Sequence, residues 1–353
     1  FKFIPGGRIM ANLGIKDREA TTLFNCFLPE SLVFTENGYK KICDINVGEK
    51  VLTHAGMWKK VINILNRSYN GKILKISNPS FYDDLITTPD HPFYTKDGNW
   101  ECAEKINHIV FPKINLQSNS SITVDILNYV DTARLTWNDT HVWIESTAIG
   151  GQGAKMNFIA GKIKRFIKID DDFSYFLGRF IGDGCIFKNI NGKYFKYDSF
   201  NIVFAKKERD ISEKIKKTLQ DIFYDGAVSD NYYTTNKNFF YLSKYSPIFC
   251  DFLRSVAGEK SNTKTIPKFI YTSPEYIIKK FVLGIIDSDG MVTTKGSIRI
   301  VLNNKKLLMD LSVLLFSISL PAKLHFEYVT NEYVDNKQYY NIIISPYFAK
   351  NLL

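Results

Sequence analysis

The sequence predicts a multidomain protein in which an all-β domain precedes an α+β domain built from two repeats. Short alternating apolar segments, separated by glycine turns, follow Cys26 and predict strands. A nine-residue pattern ending in Asp-Gly occurs at 176–184 and again at 282–290, which indicates a duplication. The chain has 353 residues, which is more than one ordinary core requires, so we expect two or more domains.

Each copy of the pattern predicts a helix with one narrow, smooth face. Gly178 and Gly182 are four residues apart in the first copy, and Gly284 and Ser288 are four residues apart in the second. Residues at this spacing lie on the same side of a helix, so a second helix can approach closely there. A tight helix pair with no further role is the alternative interpretation, and the presence of two copies argues against it.

Both predicted helices end in an aspartate that is followed by a glycine. Asp183 and Asp289 lie at the negative end of a helix dipole, where a carboxylate is unfavourable unless it serves a function or binds a cation. Gly184 and Gly290 are expected in the left-handed conformation that often ends a helix. If the smooth faces pack together, the two carboxylates converge and repel each other unless a hard cation such as Mg²⁺ joins them. Such a site suits in-line attack of water on a phosphodiester.

The elements after the two aspartates occur in the same order. A strand and a helix follow each aspartate, and a Ser-Pro pair comes after a later strand in each half. The matching segments are 199–204 with 297–302, 206–223 with 305–319, and 240–249 with 340–348. The predicted domain covers 171–353, with repeats at about 171–270 and 271–353, the second one truncated. Two such halves form a pseudo-two-fold saddle whose strands can enter the DNA major groove.

The positive charge is concentrated in the second part of the chain. Residues 1–154 contain 16 Lys/Arg and 16 Asp/Glu, whereas 155–353 contain 30 and 20 and carry the whole formal charge of +10. This distribution is expected of a DNA-binding module joined to a neutral one. The five cysteines show no C-x-x-C spacing, and no apolar run reaches transmembrane length. We therefore expect a cytoplasmic protein in a reducing setting, with no membrane partner.

Chemistry in the all-β part is predicted to start at Cys26. Its thiolate can attack the carbonyl carbon of Asn25 and convert that peptide bond into a thioester. The departing amide nitrogen needs a proton and the peptide needs distortion, which a histidine and a nearby hydroxyl can supply. We assign His91 as the proton donor and Thr88 as the group that orients the scissile bond. Asp90 is a weaker candidate. Taken singly, each of these residues is unremarkable in type and position.

Together these residues resemble a known family. Residues 26–52 and 87–95 are similar to the first two splicing blocks of inteins, which share the Hint fold with hedgehog autoprocessing domains. The two aspartate motifs resemble the LAGLIDADG homing endonucleases that inteins often carry. Residues 1–25, with the run PGGRI, resemble a segment of an adenosylcobalamin-dependent ribonucleotide reductase, and would be the N-terminal extein. The resemblance divides the chain into 1–25, a splicing domain at 26–112, a region at 113–170 and the endonuclease at 171–353.

The resemblance implies Mg²⁺-dependent cleavage of double-stranded DNA at the uninterrupted site in a reductase gene. The segment around Lys264 is similar to another intein–endonuclease block, and we assign Lys264 to activating water or stabilising charge at the scissile phosphate; a solvated surface lysine is the alternative. The last splicing blocks are expected to be missing, since Asn351 has no preceding His. A C-terminal intein segment is therefore an expected partner, and the chain is expected to act as a monomer.

Some assignments remain open at this point. Residues 113–170 include Lys155, Lys162, Lys164, Arg165 and Lys168, so this region is either an accessory DNA-contacting segment or a solvated linker. A duplicated module could also bind DNA or RNA without cutting, as RNA-splicing maturases do. A third interpretation is a reductase fragment with an inert insertion, and the set of Cys26, Thr88 and His91 argues against it.

Overall fold

The fold is seen in a computed structural model of the chain. The structure describes residues 6–11, 26–53, 57–77, 84–108, 122–149, 155–188, 198–226, 228–232, 238–331, 334–350 and 352. The chain divides into two compact units, one of residues 1–116, 308–326 and 342–344 and the other of residues 117–307, 327–341 and 345–353. Among the described residues, no helix has both the length and the apolar character needed to span a bilayer. The predicted domain limits and the predicted saddle stay predictions.

The N-terminal part of the first unit is built from short antiparallel strands. Its largest sheet has five strands in the order β1-β5-β4-β2-β3, and Ile45, Val51 and Val61 form a buried cluster in this unit. Two further pairs, β6-β7 and β8-β9, complete the strand set. The strands are β1 (Gly6–Ala11), β2 (Leu32–Thr35), β3 (Gly38–Lys41), β4 (Lys50–Leu52), β5 (Trp58–Arg67), β6 (Leu74–Ile76), β7 (Leu85–Thr87), β8 (Pro92–Tyr94) and β9 (Trp100–Cys102). The described part of 26–108 contains no α-helix, as the all-β prediction requires.

The region predicted as a linker or accessory segment contains strands of its own. They are β10 (Ile122–Asp125), β11 (Thr136–Trp137), β12 (His141–Ile149), β13 (Lys155–Lys164) and β14 (Phe166–Ile169). Strand β10 pairs with β14, and β11, β12 and β13 form a second small sheet. The guanidinium of Arg165 holds the Asp125 carboxylate through Nη2 at 2.7 Å and Nε at 3.0 Å.

The first aspartate repeat follows directly. Its elements are α1 (Asp171–Asp183), β15 (Gly184–Lys188), β16 (Asp198–Ala205), α2 (Arg209–Gln220), β17 (Ser229–Tyr232), β18 (Phe239–Tyr245) and α3 (Pro247–Ala257). The side chain of Asp170 caps α1 by accepting a hydrogen bond from the N–H of Phe173. The sheet has the order β15-β16-β18-β17, and Phe176 of α1 packs against Phe200 of β16 and Phe249 of α3. An aromatic core therefore joins the acidic helix to the sheet.

The second repeat has the same order of elements after one additional short helix. It contains α4 (Lys268–Tyr271), α5 (Glu275–Asp289), β19 (Gly290–Val292), β20 (Ile298–Leu302), α6 (Lys305–Ser317), β21 (Ala322–Asn331), β22 (Val334–Ile344) and α7 (Pro346–Ala349). Its sheet order, β19-β20-β22-β21, matches that of the first repeat position by position. The predicted order of elements in both halves is thus confirmed, although the helix predicted at 206–223 is α-helical only over Arg209–Gln220.

Candidate active site

Helices α1 and α5 touch backbone to backbone. A Cβ atom added at Gly178 would lie 2.9 Å from the Cα of Gly284 and would overlap the carbonyl oxygen of Phe281. A Cβ added at Gly284 would lie 2.8 Å from the backbone nitrogen of Arg179 and would overlap the carbonyl of Tyr175. Side chains are excluded at both positions, so the predicted smooth faces do form the helix contact.

The same contact continues to the C-terminal ends of both helices. A Cβ added at Gly182 would lie 2.7 Å from Ser288 Oγ and 3.2 Å from Asp289 Oδ2. The Asp289 carboxylate therefore lies over the residue that precedes Asp183. Burial, helped by the negative charge of Asp183, raises the pKa of Asp289 to about 6. The structure thus brings together the two aspartates that the sequence analysis selected.

The expected left-handed glycines are a point where the sequence analysis was wrong. Gly184 has φ −90° and ψ 152°, and Gly290 has φ −97° and ψ 159°, so both are extended. The chain passes from each acidic helix straight into a strand without a left-handed turn. Glycine is required there for space, because a Cβ at Gly290 would lie 2.5 Å from the carbonyl oxygen of Ile286.

A buried arginine that the sequence analysis missed stands beside the aspartates. The Arg179 side chain is fully buried, and its Nη2 lies 3.2 Å from Asp183 Oδ2. Its Nη1 lies 3.3 Å from Glu208 Oε1 and also donates to the carbonyl of Asp287, at the end of α5. Its plane covers the Phe204 ring, with Cζ 4.9 Å from the centroid. Arg179 therefore connects both helix ends to the loop after β16.

This arginine forms an ion pair with Asp183, and its positive charge also acts to lower the pKa of Asp289. Burial raises the pKa of Asp183, and the positive charge of Arg179 opposes that rise. The residue one turn before Asp289 is Ile285, so the second aspartate has no counterpart of Arg179 on its own helix. An Arg and an Asp at i and i+4 are visible in the sequence, and this spacing was the signal that could have identified the pair.

Lys264 lies at the end of the first acidic helix but is turned inward. Its side chain is buried, and Nζ donates to the carbonyl of Phe180 at 2.7 Å while lying 3.3 Å from the centroid of the Phe180 ring. Burial lowers the pKa of this amine to about 7. The contact satisfies a carbonyl at the C-terminal end of α1, which is a favourable position for a cationic side chain.

Two carboxylates form the candidate metal-binding group. Among the described residues there is no cluster of three or more His, Cys, Asp or Glu side chains suited to a metal ion. Asp183 and Asp289 fit a hard cation such as Mg²⁺, which binds through one or two carboxylates and takes its other oxygens from water or substrate phosphates. Burial is the main cause of the raised pKa of Asp289, and the negative charge of Asp183 adds to it. The donor set therefore fits a divalent ion shared between the helix ends.

The N-terminal unit places Thr88 directly on the peptide before Cys26. The N–H of Cys26 donates to Thr88 Oγ1 at 3.1 Å, and that nitrogen belongs to the Asn25–Cys26 bond. The carbonyl of Cys26 accepts from the hydroxyl of Thr87 at 3.1 Å and from the N–H of Thr88 at 3.2 Å. Both threonines are buried. The segment after β7 therefore fixes the backbone of Cys26 on both sides.

His91 is held in the same turn. Its N–H donates to the carbonyl of Thr88 at 3.1 Å, and its ring centroid lies 4.0 Å from that of Phe27 and 5.3 Å from that of Phe93. The imidazole is thus placed beside the residue that follows Cys26. Asn25, whose carbonyl would be attacked, lies outside the described residues, and Asp90 belongs to the turn between β7 and β8.

Comparison with known proteins gives relatives of several kinds. No family model matches the chain. An uncharacterised protein of Methanocaldococcus jannaschii is 26% identical over 213 residues, covering 56% of this chain and 26% of that protein. The RNA polymerase subunit Rpo1C of the same organism is 24% identical (84% of this chain, 33% of that protein), and the DNA helicase Hel308 of Thermococcus kodakarensis is 21% identical (78% and 25%). The chain thus spans about a quarter to a third of the length of these relatives.

Solved structures with some likeness are homing endonucleases. I-DmoI in complex with DNA and Ca is 15% identical with a TM-score of 0.39, over 52% of this chain and 87% of that one. I-WcaI bound to its DNA recognition sequence is 16% identical with a TM-score of 0.34, over 52% and 80%.

Proposed function

We propose that residues 171–353 are a site-specific, LAGLIDADG-type DNA endonuclease carried within an intein. The observation that supports this most strongly is the α1–α5 contact, in which glycine backbones meet and the two terminal aspartates converge. Packing alone does not need a pair of mutually repelling carboxylates at the end of two helices, because such a pair costs stability. A divalent cation bound by both carboxylates would compensate their repulsion and account for their position.

The chemistry proposed for the site is hydrolysis of DNA phosphodiesters. A bound Mg²⁺ would neutralise phosphate charge and assist in-line attack by water. Asp183 and Asp289 would hold the ion, and the rigid helix contact fixes their spacing. Arg179 keeps the Asp183 carboxylate oriented. Its positive charge offsets part of the combined negative charge of Asp183 and Glu208. A direct role for Lys264 at the phosphate would require its amine to leave the Phe180 carbonyl; in its present contact it positions the end of α1.

The proposed partner is double-stranded DNA, bound by a monomer. The excess of 30 Lys/Arg over 20 Asp/Glu in residues 155–353 supplies the attraction for phosphates. Strands β15 and β19 begin at the two aspartates, so a duplex lying along the strands would place its backbone near the carboxylates. The positions of the strands and of the two aspartates together favour the arrangement predicted from the sequence, in which the strands enter the DNA major groove.

A cleavage assay with Mg²⁺ tests the proposal. The substrate would be a duplex carrying the reductase gene without interruption at the Asn25–Cys26 junction. We expect one metal-dependent double-strand cut near the junction, lost in Asp183→Asn and in Asp289→Asn, with binding kept. Asp287→Asn is the matched control, because that exposed carboxylate lies on the same helix end and is held by the Tyr175 hydroxyl at 2.6 Å. Specific binding without any cut would instead support a maturase-like module.

The second proposed activity is self-processing at Cys26, as the first step of protein splicing. The Cys26 sulfur would bond to the carbonyl carbon of Asn25, the C–N bond would break, and the nitrogen would take up a proton as it becomes a free amine. The hydrogen bond from the Cys26 N–H to Thr88 Oγ1 supports this step, because it holds the departing nitrogen. His91 is the proposed proton donor. The later steps are assigned to a C-terminal intein segment.

Hydroxylamine tests this second activity, because it cleaves thioesters far faster than amides. We expect it to release residues 1–25 from the wild-type chain and not from Cys26→Ala. Cys43→Ala is the control, since Cys43 is exposed and is placed in no catalytic role. If nothing is released from the wild type, the inert-insertion interpretation replaces the self-processing one.

The relatives also support an inserted element. The chain matches a polymerase subunit over 84% of its length and a helicase over 78%, proteins whose names describe unrelated activities, and covers 33% and 25% of them. A segment shared between otherwise unrelated proteins is expected of a mobile element rather than of a part of either activity. The reductase as host of this copy rests on residues 1–25 alone.

A further inference from the structure

The two faces of the sheet in the first repeat carry different kinds of side chain. Phe200 and Phe204 of β16 are buried, and Phe200 packs on Phe249 of α3 with the centroids 5.4 Å apart. Side chains alternate across a strand, so Ser199 and Asn201 lie on the opposite face. At these positions of β16 that face therefore carries small polar groups, whereas the other face carries aromatic rings.

One row of residues crosses all four strands on this face. Asn201 is in register with Cys185 of β15 and with Ser243 of β18, and Ser243 is in register with Ser229 of β17. Every member except Asn201 has a very short side chain, so the row is a low part of the sheet surface. We call this row of four residues the floor. A cavity of about 440 Å³ opens over it, lined by Asn201, Ser229 and Ser243 and bounded by Tyr241 and Tyr245.

The Asn201 carboxamide is left unpaired by the residues that the structure describes. It makes no hydrogen bond with any residue that the structure describes, and its Oδ1 is buried without a partner. A carboxamide can donate two hydrogen bonds and accept two, and leaving a buried acceptor unpaired is unfavourable. A ligand that both donates and accepts hydrogen bonds would satisfy the group once the amide turns about its last side-chain bond.

The charges around the cavity argue against a phosphate as that ligand. Among the described residues that line it, the charged ones are Asp225 and Lys244, and both carboxylate oxygens of Asp225 lie 2.7 Å from Lys244 Nζ. The pair is neutral overall, so the described lining residues present no unpaired positive charge to the floor. A neutral ligand with a flat, hydrogen-bonding edge fits better.

We propose that Asn201 reads the adenine of one A·T base pair in the major groove of the bound DNA. This rests on the proposed function and adds a specificity-determining residue to it. Adenine presents N7 as an acceptor beside its N6 amino donor, and an asparagine carboxamide pairs with both. The short side chains of Ser243 and Cys185 leave room for the base edge, and the adjoining tyrosines limit its position.

Selection from a pool of random duplexes in Ca²⁺ tests the assignment without assuming a target. We expect wild type to recover a consensus with A·T at one position, and replacing that pair should weaken binding about 5- to 100-fold. Asn201→Ala should accept any pair there and keep the rest of the consensus. Asn201→Asp should favour C·G at the same position, because a carboxylate accepts from the cytosine amino group. Asn99→Ala, an exposed asparagine of the other unit, should recover the wild-type consensus.

Several results would overturn the inference. An Asn201→Ala consensus identical to wild type at every position would do so while leaving the nuclease proposal intact. A uniform loss of binding in Asn201→Ala and Asn201→Asp, with a lowered melting temperature, would show that the residue is only structural. If the wild type recovers no consensus, the proposed DNA recognition itself fails and the inference fails with it.

Discussion

Arg179 and Asp183 lie one turn apart on α1, with the buried guanidinium 3.2 Å from the carboxylate. Replacing Arg179 with Met would leave Asp183 and Glu208 facing each other without a cation between them. We expect the free energy of unfolding to fall by about 3 kcal/mol, because removing one partner of a buried pair leaves an uncompensated charge. Urea denaturation of the metal-free protein measures this.

A double-mutant cycle provides the control for Arg179. Glu208→Gln removes one of the two repelling carboxylates, so the double variant should recover part of the lost stability. Additive losses would mean that Arg179 and Glu208 do not interact energetically. Arg179→Lys should restore less than half of the loss, because an ammonium cannot reach Asp183, Glu208 and the Asp287 carbonyl together.

The close helix contact predicts that alanine is not tolerated at Gly178. Its Cβ would lie 2.9 Å from the Cα of Gly284, and no flexible side chain can move aside. We expect a loss of about 3 kcal/mol or more, since the backbones must separate. Gly226→Ala is the control, because no described atom beyond its chain neighbours lies within 4 Å of its Cβ position and its left-handed φ of 59° opposes the change by about 1 kcal/mol. Equal losses at both positions would contradict the tight contact.

Stability of the metal-free protein should depend on pH through Asp289. Its pKa is raised to about 6, so the folded state holds the proton more tightly than the unfolded state. The fold therefore loses stability as pH rises from about 4 to about 6, by up to about 2 kcal/mol after solvent screening is allowed for. Asp289→Asn should remove this loss and be the more stable protein above pH 6. Thermal unfolding across this range, with Asp287→Asn as control, measures the effect.

Added Mg²⁺ should make the wild type more stable than Asp289→Asn, which reverses the order expected without the metal. A cation held by both carboxylates stabilises the folded state of the wild type, and Asp289→Asn loses one of the ligands. We expect millimolar Mg²⁺ to raise the melting temperature of the wild type and to leave that of the variant nearly unchanged. An equal rise in both proteins would place the metal elsewhere.

Lys264 predicts a second pH dependence with the opposite slope. Burial lowers its pKa to about 7, so the unfolded state binds the proton more tightly between about pH 7 and 10. Stability should rise with pH in that interval, by at most about 1.4 kcal/mol per pH unit, and the slope should disappear in Lys264→Met. A wild-type slope equal to that of the variant would show that the Phe180 carbonyl and ring keep the ammonium charged.

The sequence was informative where a feature is local or repeated. Gly178, Gly284 and the two aspartates could be placed because helical spacing and duplication act on neighbouring residues. The spacing of Arg179 and Asp183 is local and could have been read from the sequence, but the contacts of Arg179 with Glu208 and Asp287 join other elements, which no local pattern connects. The backbone at Gly184 was predicted wrongly because a terminal glycine usually means a left-handed cap, whereas here it means that Phe180 leaves no space for a side chain.

The direct passage from α1 to β15 at Gly184, and from α5 to β19 at Gly290, has a mechanical consequence. No loop separates either carboxylate from the strand that begins beside it. A displacement of the sheet is therefore transmitted directly to the carboxylates. A duplex that fits poorly and bends the strands would also move the aspartates out of alignment. For the proposed endonuclease, we therefore expect mismatched sites to be penalised in the rate of cutting as well as in affinity, so that cleavage is more selective than binding.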